Sequence, residues 1–324
     1  VDKLEPATWM VGEGSQMGET RRYWTPATGV LPGADGDAVE RVRALLDDSV
    51  QMQLRSDVPL GGYLSGGLDS SVVCSLATRH LRAGIKVFHG RFDEGPAYDE
   101  SSYARVLARS VDAEYHDVAP TPADFVEHMP RIIQLLDEPV AGPGAFGQFM
   151  VSRLAAQHVK VVLGGQGGDE TFGGYARYLV AYLEQALKGA ILGTQEEGRH
   201  IVTLDNVIPQ LPTLRGYFPL MRGFWSEGLF EPMDRRYFAL VNRSRGVTGL
   251  LHPDLRGALD EESVFEEYLS VFNRPDTPSY INKMLSFDMS TLLPALLQVE
   301  DRMSMGASLE SRVPLLDTRV VDLL

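Results

Sequence analysis

The sequence predicts an α/β protein: a parallel sheet flanked by helices, followed by a mainly helical C-terminal part. Short apolar runs alternate with helix-period segments between residues 35 and 164. Two of those runs end in glycine-rich turns, and the strand rhythm fades after about residue 172. Asp35 to Leu54 carries Val39, Val42, Leu45, Leu46 and Val50 at helical spacing. A strand follows near Tyr63–Leu64, then a helix over 70–82, a strand over 85–92, a helix over 99–111 and a strand over 113–118. Helices over 122–136 and 146–157 lead to a strand over 159–164, whose Val159-Lys160-Val161-Val162-Leu163 is apolar enough to be central. Helical patterns then cover 176–190, 234–244, 260–272 and 279–299. Residues 1–34 are Gly/Pro-rich, with strand-like pieces at Thr8–Val11 and Arg21–Trp24, and read as a domain edge and linker before a main domain over 35–324.

Length and charge narrow the function classes. A chain of 324 residues can build a substantial core. Its 30 basic and 44 acidic residues give a formal net charge of -14, which argues against a nucleic-acid partner. No apolar run approaches a membrane span and no signal segment opens the chain, so the cytoplasm is the expected location. The single cysteine, Cys74, excludes an intrachain disulfide and sits on the apolar side of a helix pattern, where a buried structural thiol is expected. The acidic cluster Asp260-Glu261-Glu262 with Glu266-Glu267 reads as a solvated helix face.

The first chemical signal is Ser65-Gly66-Gly67-Leu68-Asp69-Ser70-Ser71, placed between a strand and a helix. Glycines let the backbone turn tightly, so that N–H groups and a helix N-terminus face an anion. No P-loop lysine follows. The motif instead resembles the Ser-Gly-Gly-x-Asp-Ser pyrophosphate loop of ATP pyrophosphatases, which cut ATP between its α and β phosphates. The second signal, Gly164-Gly165-Gln166-Gly167-Gly168-Asp169-Glu170, repeats the order of strand, glycine turn and carboxylates. ATP and carboxylates sharing one site need a cation between them, which makes Asp69 and Asp169 the candidate Mg²⁺ ligands. Both turns fall at the carboxyl ends of strands, where ligands of such sheets bind.

Further candidates lie outside the turns. Phe88 and His89, at the end of the 85–92 strand, are placed where an adenine ring would rest, with a local hydrogen-bonding role expected for His89. Asp99-Glu100 is read as capping the next helix, and Asp137-Glu138-Pro139 as an acidic turn, either an ordinary loop or a face for an ammonium group. The third signal runs through Glu300-Asp301-Arg302-Met303-Ser304 to Glu310-Ser311-Arg312 and Asp317, mixing charged and small residues where a core helix would be apolar. Arg302 is the candidate clamp for a phosphate or carboxylate. Arg312 either shares that role or pairs with Glu310 to hold the loop.

Together these motifs resemble the synthetase domain of the glutamine-hydrolysing asparagine synthetase family, from about Arg21 to the C-terminus. The resemblance implies an adenine-nucleotide α-hydrolase-like (ATP pyrophosphatase) fold with a helical C-terminal extension. It implies that Ser65, Gly66, Gly67, Leu68, Asp69, Ser70 and Ser71 hold the ATP pyrophosphate, with Asp69 and Asp169 near Mg²⁺. The Gly164–Glu170 turn would shape the amino-acid pocket, with Gly164 and Gly165 among the nucleotide-binding candidates, and the Asp301–Ser304 and Glu310–Asp317 motifs would close the site. The implied reaction activates the aspartate β-carboxylate as an acyl-adenylate, releases pyrophosphate and lets ammonia displace AMP. Gln166 and Arg302 are the candidate catalytic residues.

Three departures qualify that expectation. The family's upstream glutaminase domain opens on a nucleophilic cysteine; here Val1 opens the chain and Cys74 lies elsewhere, so a glutaminase partner domain is expected outside this sequence. Gln166 stands where the family has a glutamate in the second turn, and a neutral amide takes no proton from ammonium. The sequence stops soon after Asp317, where relatives continue with helices, so truncation is expected. Two alternatives stay open at this point: an amidotransferase or cyclase of the same family acting on another carboxylate, and an inactive nucleotide-binding fragment.

Overall fold

The computed structural model describes residues 3–25, 35–81, 84–93, 95, 99–138, 142, 144–193, 207–243, 247–256, 261–275, 277 and 279–324. Residues 26–34 of the domain edge and linker expected over 1–34, Pro139 of the acidic turn and Asp260 of the acidic cluster lie outside the described residues. The chain divides into two compact units. The first comprises 1–23, 33–172 and 291–324, and the second 24–32 and 173–290.

The first unit begins with two short antiparallel pairs, β1 (Thr8–Trp9) with β4 (Arg21–Arg22), and β2 (Gly12–Glu13) with β3 (Gln16–Met17). Helix α1 (Asp35–Gln53) leads into an alternation of β5 (Leu60–Tyr63), α2 (Leu68–His80), β6 (Lys86–Gly90), α3 (Ser101–Ser110) and β7 (Glu114–Val118). It continues through α4 (Pro122–Leu136), α5 (Gly144–Ala155) and β8 (Val161–Leu163). A fifth strand, β9 (Glu310–Arg312), returns from the far end of the chain to pair with β8. The sheet order is β7-β6-β5-β8-β9 with every pairing parallel, which is the parallel sheet flanked by helices that the sequence predicts.

Both faces of this sheet are covered, because successive side chains alternate between them. Leu64, Val87 and Leu163 join Val73, Cys74 and Ala77 of α2 and Ala104 and Ala108 of α3 in one core cluster. Tyr63, Phe88 and Val162 point the other way, into a second cluster with Val151 and Ala155 of α5. The two glycines of β5 are needed for this packing. A Cβ at Gly61 would come within 2.7 Å of the Phe88 ring, and one at Gly62 within 2.8 Å of the Cys74 sulfur. Cys74 is fully buried and its thiol is pushed up to about 12 by that burial, so it is the inert structural thiol expected. Helix α4 opens with a capping box: Asp124 donates its N–H to the Thr121 hydroxyl at 3.2 Å, and Thr121 donates its own to the Asp124 carboxylate at 2.8 Å.

The second unit is helical. Helix α7 (Ala176–Leu192) and the helices Met233–Val241 and Glu261–Phe272 share an aromatic core of Tyr178, Tyr182, Tyr237, Phe265, Tyr268, Phe272 and Tyr280. The helix Tyr280–Gly306 is longer than the 279–299 segment predicted from sequence. The run Glu300–Gly306, which mixes charged and small residues beyond the predicted helix, forms its last turns. Glu300, Met303 and Ser304 share its buried side at i, i+3, i+4 spacing, whereas Asp301, Arg302 and Met305 are exposed. No helix among the described residues is long and apolar enough to cross a membrane.

Candidate active site

The sheet reverses direction of growth at β5: the chain winds out to β6 and β7 on one side and to β8 and β9 on the other. The crevice at the carboxyl ends of β5 and β8 is therefore the topological switch point, the expected place for a ligand. Both glycine turns open there, one after Tyr63 and one after Leu163.

The first turn is braced by its own hydroxyls. Leu64 donates its N–H to the Phe88 carbonyl at 2.9 Å, carrying the sheet one residue further. The Ser65 and Ser70 hydroxyls are 3.0 Å apart; the Ser65 N–H donates to the Ser70 oxygen and the Gly67 N–H to the Ser65 oxygen, each at 3.2 Å. Gly66 has φ +96, in the left-handed region, and a Cβ there would lie 2.9 Å from the Glu100 carbonyl. Helix α2 then starts from Gly67, whose N-cap position makes no side-chain hydrogen bond. Ser65, Gly67 and Leu68 are exposed, whereas Ser70 is buried as the brace and Ser71 is half-buried. The open part of the loop is thus backbone N–H and the Ser65 hydroxyl at a helix N-terminus, the chemistry that receives an anion.

The second turn interlocks with the first, and its glycines mark the points of contact. A Cβ at Gly165 would stand 2.7 Å from the Ser70 nitrogen, and one at Gly168 would run into the Asp69 carboxylate. One at Gly164 would meet the Glu300 carboxylate, and Gly167 combines φ +89 with contact against Leu316. The short helix α6 (Gly168–Phe172) begins here and carries Asp169 and Glu170 in its first turn. Burial first, then the charges of Asp169 and Glu170, push the Asp69 carboxyl up to about 6. The charges of Asp169 and Glu170 thus raise the cost of ionising Asp69. Among the described residues no set of three ligand side chains stands ready for a metal.

Glu300, a residue of the third motif with no role predicted from sequence, lies against Gly164 of the second turn. Only 3% exposed, it accepts hydrogen bonds from the Ser311 hydroxyl and from the Gln166 side chain, and its burial pushes the carboxyl up to about 7. Its spacing from Met303 and Ser304 was the available signal for its burial.

The remaining candidates are placed as follows. Phe88 is 1% exposed, its ring stacks on His116 and His158, and its carbonyl accepts from Leu64, so it offers no free face to a base. His89 is equally buried, with Nδ1 2.7 Å from the Leu64 carbonyl, the local hydrogen bond expected for it. Arg302 is half-exposed and paired with Asp137 at 3.1 Å. Arg312 takes the bracing role: it holds Glu310 at 2.6 Å and donates to the Gln53 and Arg55 carbonyls at 2.5 and 2.8 Å, fixing β9 to the end of α1. Glu310 is exposed, so this is a surface brace rather than a buried pair. Asp99 accepts from the Ser101 N–H at 2.9 Å, as a cap for α3.

The asparagine synthase family model matches residues 41–324. The chain belongs to the asparagine synthase family. It is 32% identical over 286 residues to asparagine synthetase [glutamine-hydrolyzing] 1 of Bacillus subtilis, which covers 88% of this chain and 43% of that protein. It is 26% identical over 314 residues to asparagine synthetase [glutamine-hydrolyzing] 3 of the same organism, covering 93% and 44%. Among solved structures, an NH3-dependent NAD synthetase from Campylobacter jejuni overlaps with a TM-score of 0.31 at 14% identity over 72% of this chain and 93% of that one, a likeness too low to bear on function. The chain spans a little under half the length of the curated relatives it matches.

Proposed function

We propose that this chain is the synthetase part of an ATP-dependent amide ligase. It activates the aspartate β-carboxylate as an acyl-adenylate and passes the acyl group to ammonia, giving asparagine, AMP and pyrophosphate. The observation that carries this reading is the interlock of two glycine turns at the β5/β8 switch point, with Asp69 and Asp169 between them.

The roles follow from what each group offers. The Gly66 N–H, the Ser65 hydroxyl and the first N–H groups of α2 receive the pyrophosphate, which leaves with its negative charge already met by donors. Asp69 and Asp169 would hold Mg²⁺, which neutralises phosphate charge as it develops. A carboxylate is a poor electrophile until one oxygen becomes a leaving group, and AMP supplies that leaving group. Holding the substrate carboxylate against the α-phosphate provides much of the remaining rate. Gln166, in the second turn, faces the acceptor step, and Arg302 is assigned to the substrate carboxylate or phosphate, released from Asp137 when substrate binds. Ammonia is supplied by a glutaminase domain in the full-length protein, in keeping with the names of its relatives.

One observation favours a second reading within the family. Gln166 replaces the acidic residue expected in the acceptor turn, which fits an amidotransferase whose carboxylate substrate differs from aspartate. Product analysis by phosphorus NMR separates the readings. AMP and pyrophosphate forming with aspartate and ammonia support the first, and the same products with another carboxylate alone support the second. ADP and orthophosphate would overturn both.

A further inference from the structure

Glu300 and Gln166 form a pair that neither the family match nor the glycine motifs assign. Glu300 is buried, and the hydrogen-bond donors found acting on it, the Ser311 hydroxyl and the Gln166 side chain, are both neutral. An ionised carboxylate can only accept, so Gln166 must present its NH2 group to Glu300. The amide is planar, and its carbonyl oxygen then points away from Glu300. Gln166 is half-buried in a turn whose neighbours are pinned on both sides, Gly165 on the Ser70 backbone and Gly168 on Asp69. The ionisation of Glu300 therefore decides which end of the Gln166 amide the turn offers: an acceptor oxygen when Glu300 is charged, either end when it is not.

We infer that Glu300 is a positioning residue for the nucleophile. Its carboxylate holds Gln166 with the carbonyl oxygen outward, where that oxygen accepts an N–H of the attacking ammonia and aims its lone pair at the acyl carbon. The inference rests on the ligase reading above and gives the replaced residue of the second turn a role that needs no proton transfer by glutamine. Among the described residues, Tyr63 of β5 faces Glu300, and its hydroxyl, pushed far above its ordinary range mainly by burial, stays neutral; Asp69, against Gly168 of the same turn, is raised to about 6. Ser311 of β9 carries no charge, and Asp301 and Arg302 on Glu300's own helix are exposed. Glu300→Gln removes the charge change of Glu300, raised to about 7, while leaving that of Asp69 in place.

Two measurements on wild type and Glu300→Gln test the pair. The first follows the side-chain NH2 resonances of Gln166 with pH, in ¹⁵N-labelled protein without substrates. They should shift with a midpoint near 7 in wild type, and the shift should vanish in the variant. A flat response in wild type, or an unchanged one in Glu300→Gln, overturns the inference whatever the protein's reaction proves to be. The second compares ammonia-dependent amide formation with pyrophosphate exchange, which needs no nucleophile. Glu300→Gln should lower kcat/KM for free ammonia about tenfold, the scale of one misaligned hydrogen bond in the transition state, and exchange much less. Equal losses in both would mark a merely structural role and overturn it. Absence of exchange with aspartate would sink the aspartate assignment alone, leaving the resonance titration to decide on Glu300.

Discussion

Glu184 in the helical unit and Glu300 in the sheet unit are both almost wholly buried, yet their surroundings are opposite. Arg236 grips Glu184 with two bonds of 2.6 and 2.7 Å, and the Phe230 N–H adds a third at 3.1 Å. Asp288, in the same unit, takes Arg177 and the hydroxyls of Tyr178 and Tyr237. Glu300 receives neutral donors, and Asp69 is crowded by two further carboxylates. Charge in the helical unit is neutralised from within and serves packing. Near the glycine turns Asp69 is instead crowded by like charge, and the donors found on Glu300 carry none. The contrast distinguishes these carboxylates more sharply than burial does, since burial is common to Glu184 and Glu300.

The comparison can be broken most strongly on the structural side. Arg236→Met leaves Glu184 buried without its cation and should cost about 3–5 kcal/mol in urea unfolding, with much of the loss restored by Glu184→Leu in the same chain. On the functional side the signs of stability and activity should part. Asp69→Asn should lower Mg²⁺-dependent pyrophosphate release at least about a hundredfold, as expected for loss of a metal ligand. The same change should stabilise the protein measured without nucleotide. The Asp69 carboxyl binds its proton more tightly in the folded state, so the stability it contributes is full below its unfolded value and is lost as pH rises through about 6. Relative to wild type, Asp69→Asn should therefore melt roughly 2–4 °C higher at pH 8, a gain that disappears by about pH 4. An equal shift at both pH values would contradict the proposed crowding.

A finer change sharpens the same contrast. Gln166→Glu puts a second carboxylate against Glu300, so the pair should share a proton and the pH profile of amide formation should move upward, by about one unit or more. Adenylate formation should change less, and identical profiles would remove Gln166 from the acceptor site. The smallest effect belongs to Cys74→Ala, a buried truncation that should cost about 1–2 kcal/mol of stability and alter turnover by less than twofold. A large loss of turnover would give the thiol a role that its burial denies.

The glycine turns were the most legible part of the molecule, because a residue without a side chain is selected wherever backbone meets backbone or carboxylate. The four glycines of the second turn each abut a specific obstacle, and these contacts lock it to the first turn and to the Glu300 helix. Strand β9 was not legible: Glu310-Ser311-Arg312 has no apolar alternation, and its pairing with β8 is set by a contact about 150 residues away in sequence. Glu300 was hidden for a related reason. A carboxylate on a helix ordinarily faces water, and only the packing of its Met303–Ser304 side against the sheet unit buries it. Phe88 shows the converse error available to sequence reading: alternation with Val87 already directs its ring to the face opposite α2, into the core beside α5.

The most direct test of the account is Mg²⁺-dependent exchange of labelled pyrophosphate into ATP, run with and without L-aspartate on wild type and Asp69→Asn. The account predicts aspartate-dependent exchange in wild type that is lost in the variant. Exchange at the wild-type rate in Asp69→Asn would contradict the metal site, and no exchange with any carboxylate in folded wild-type protein that binds ATP would contradict the ligase itself.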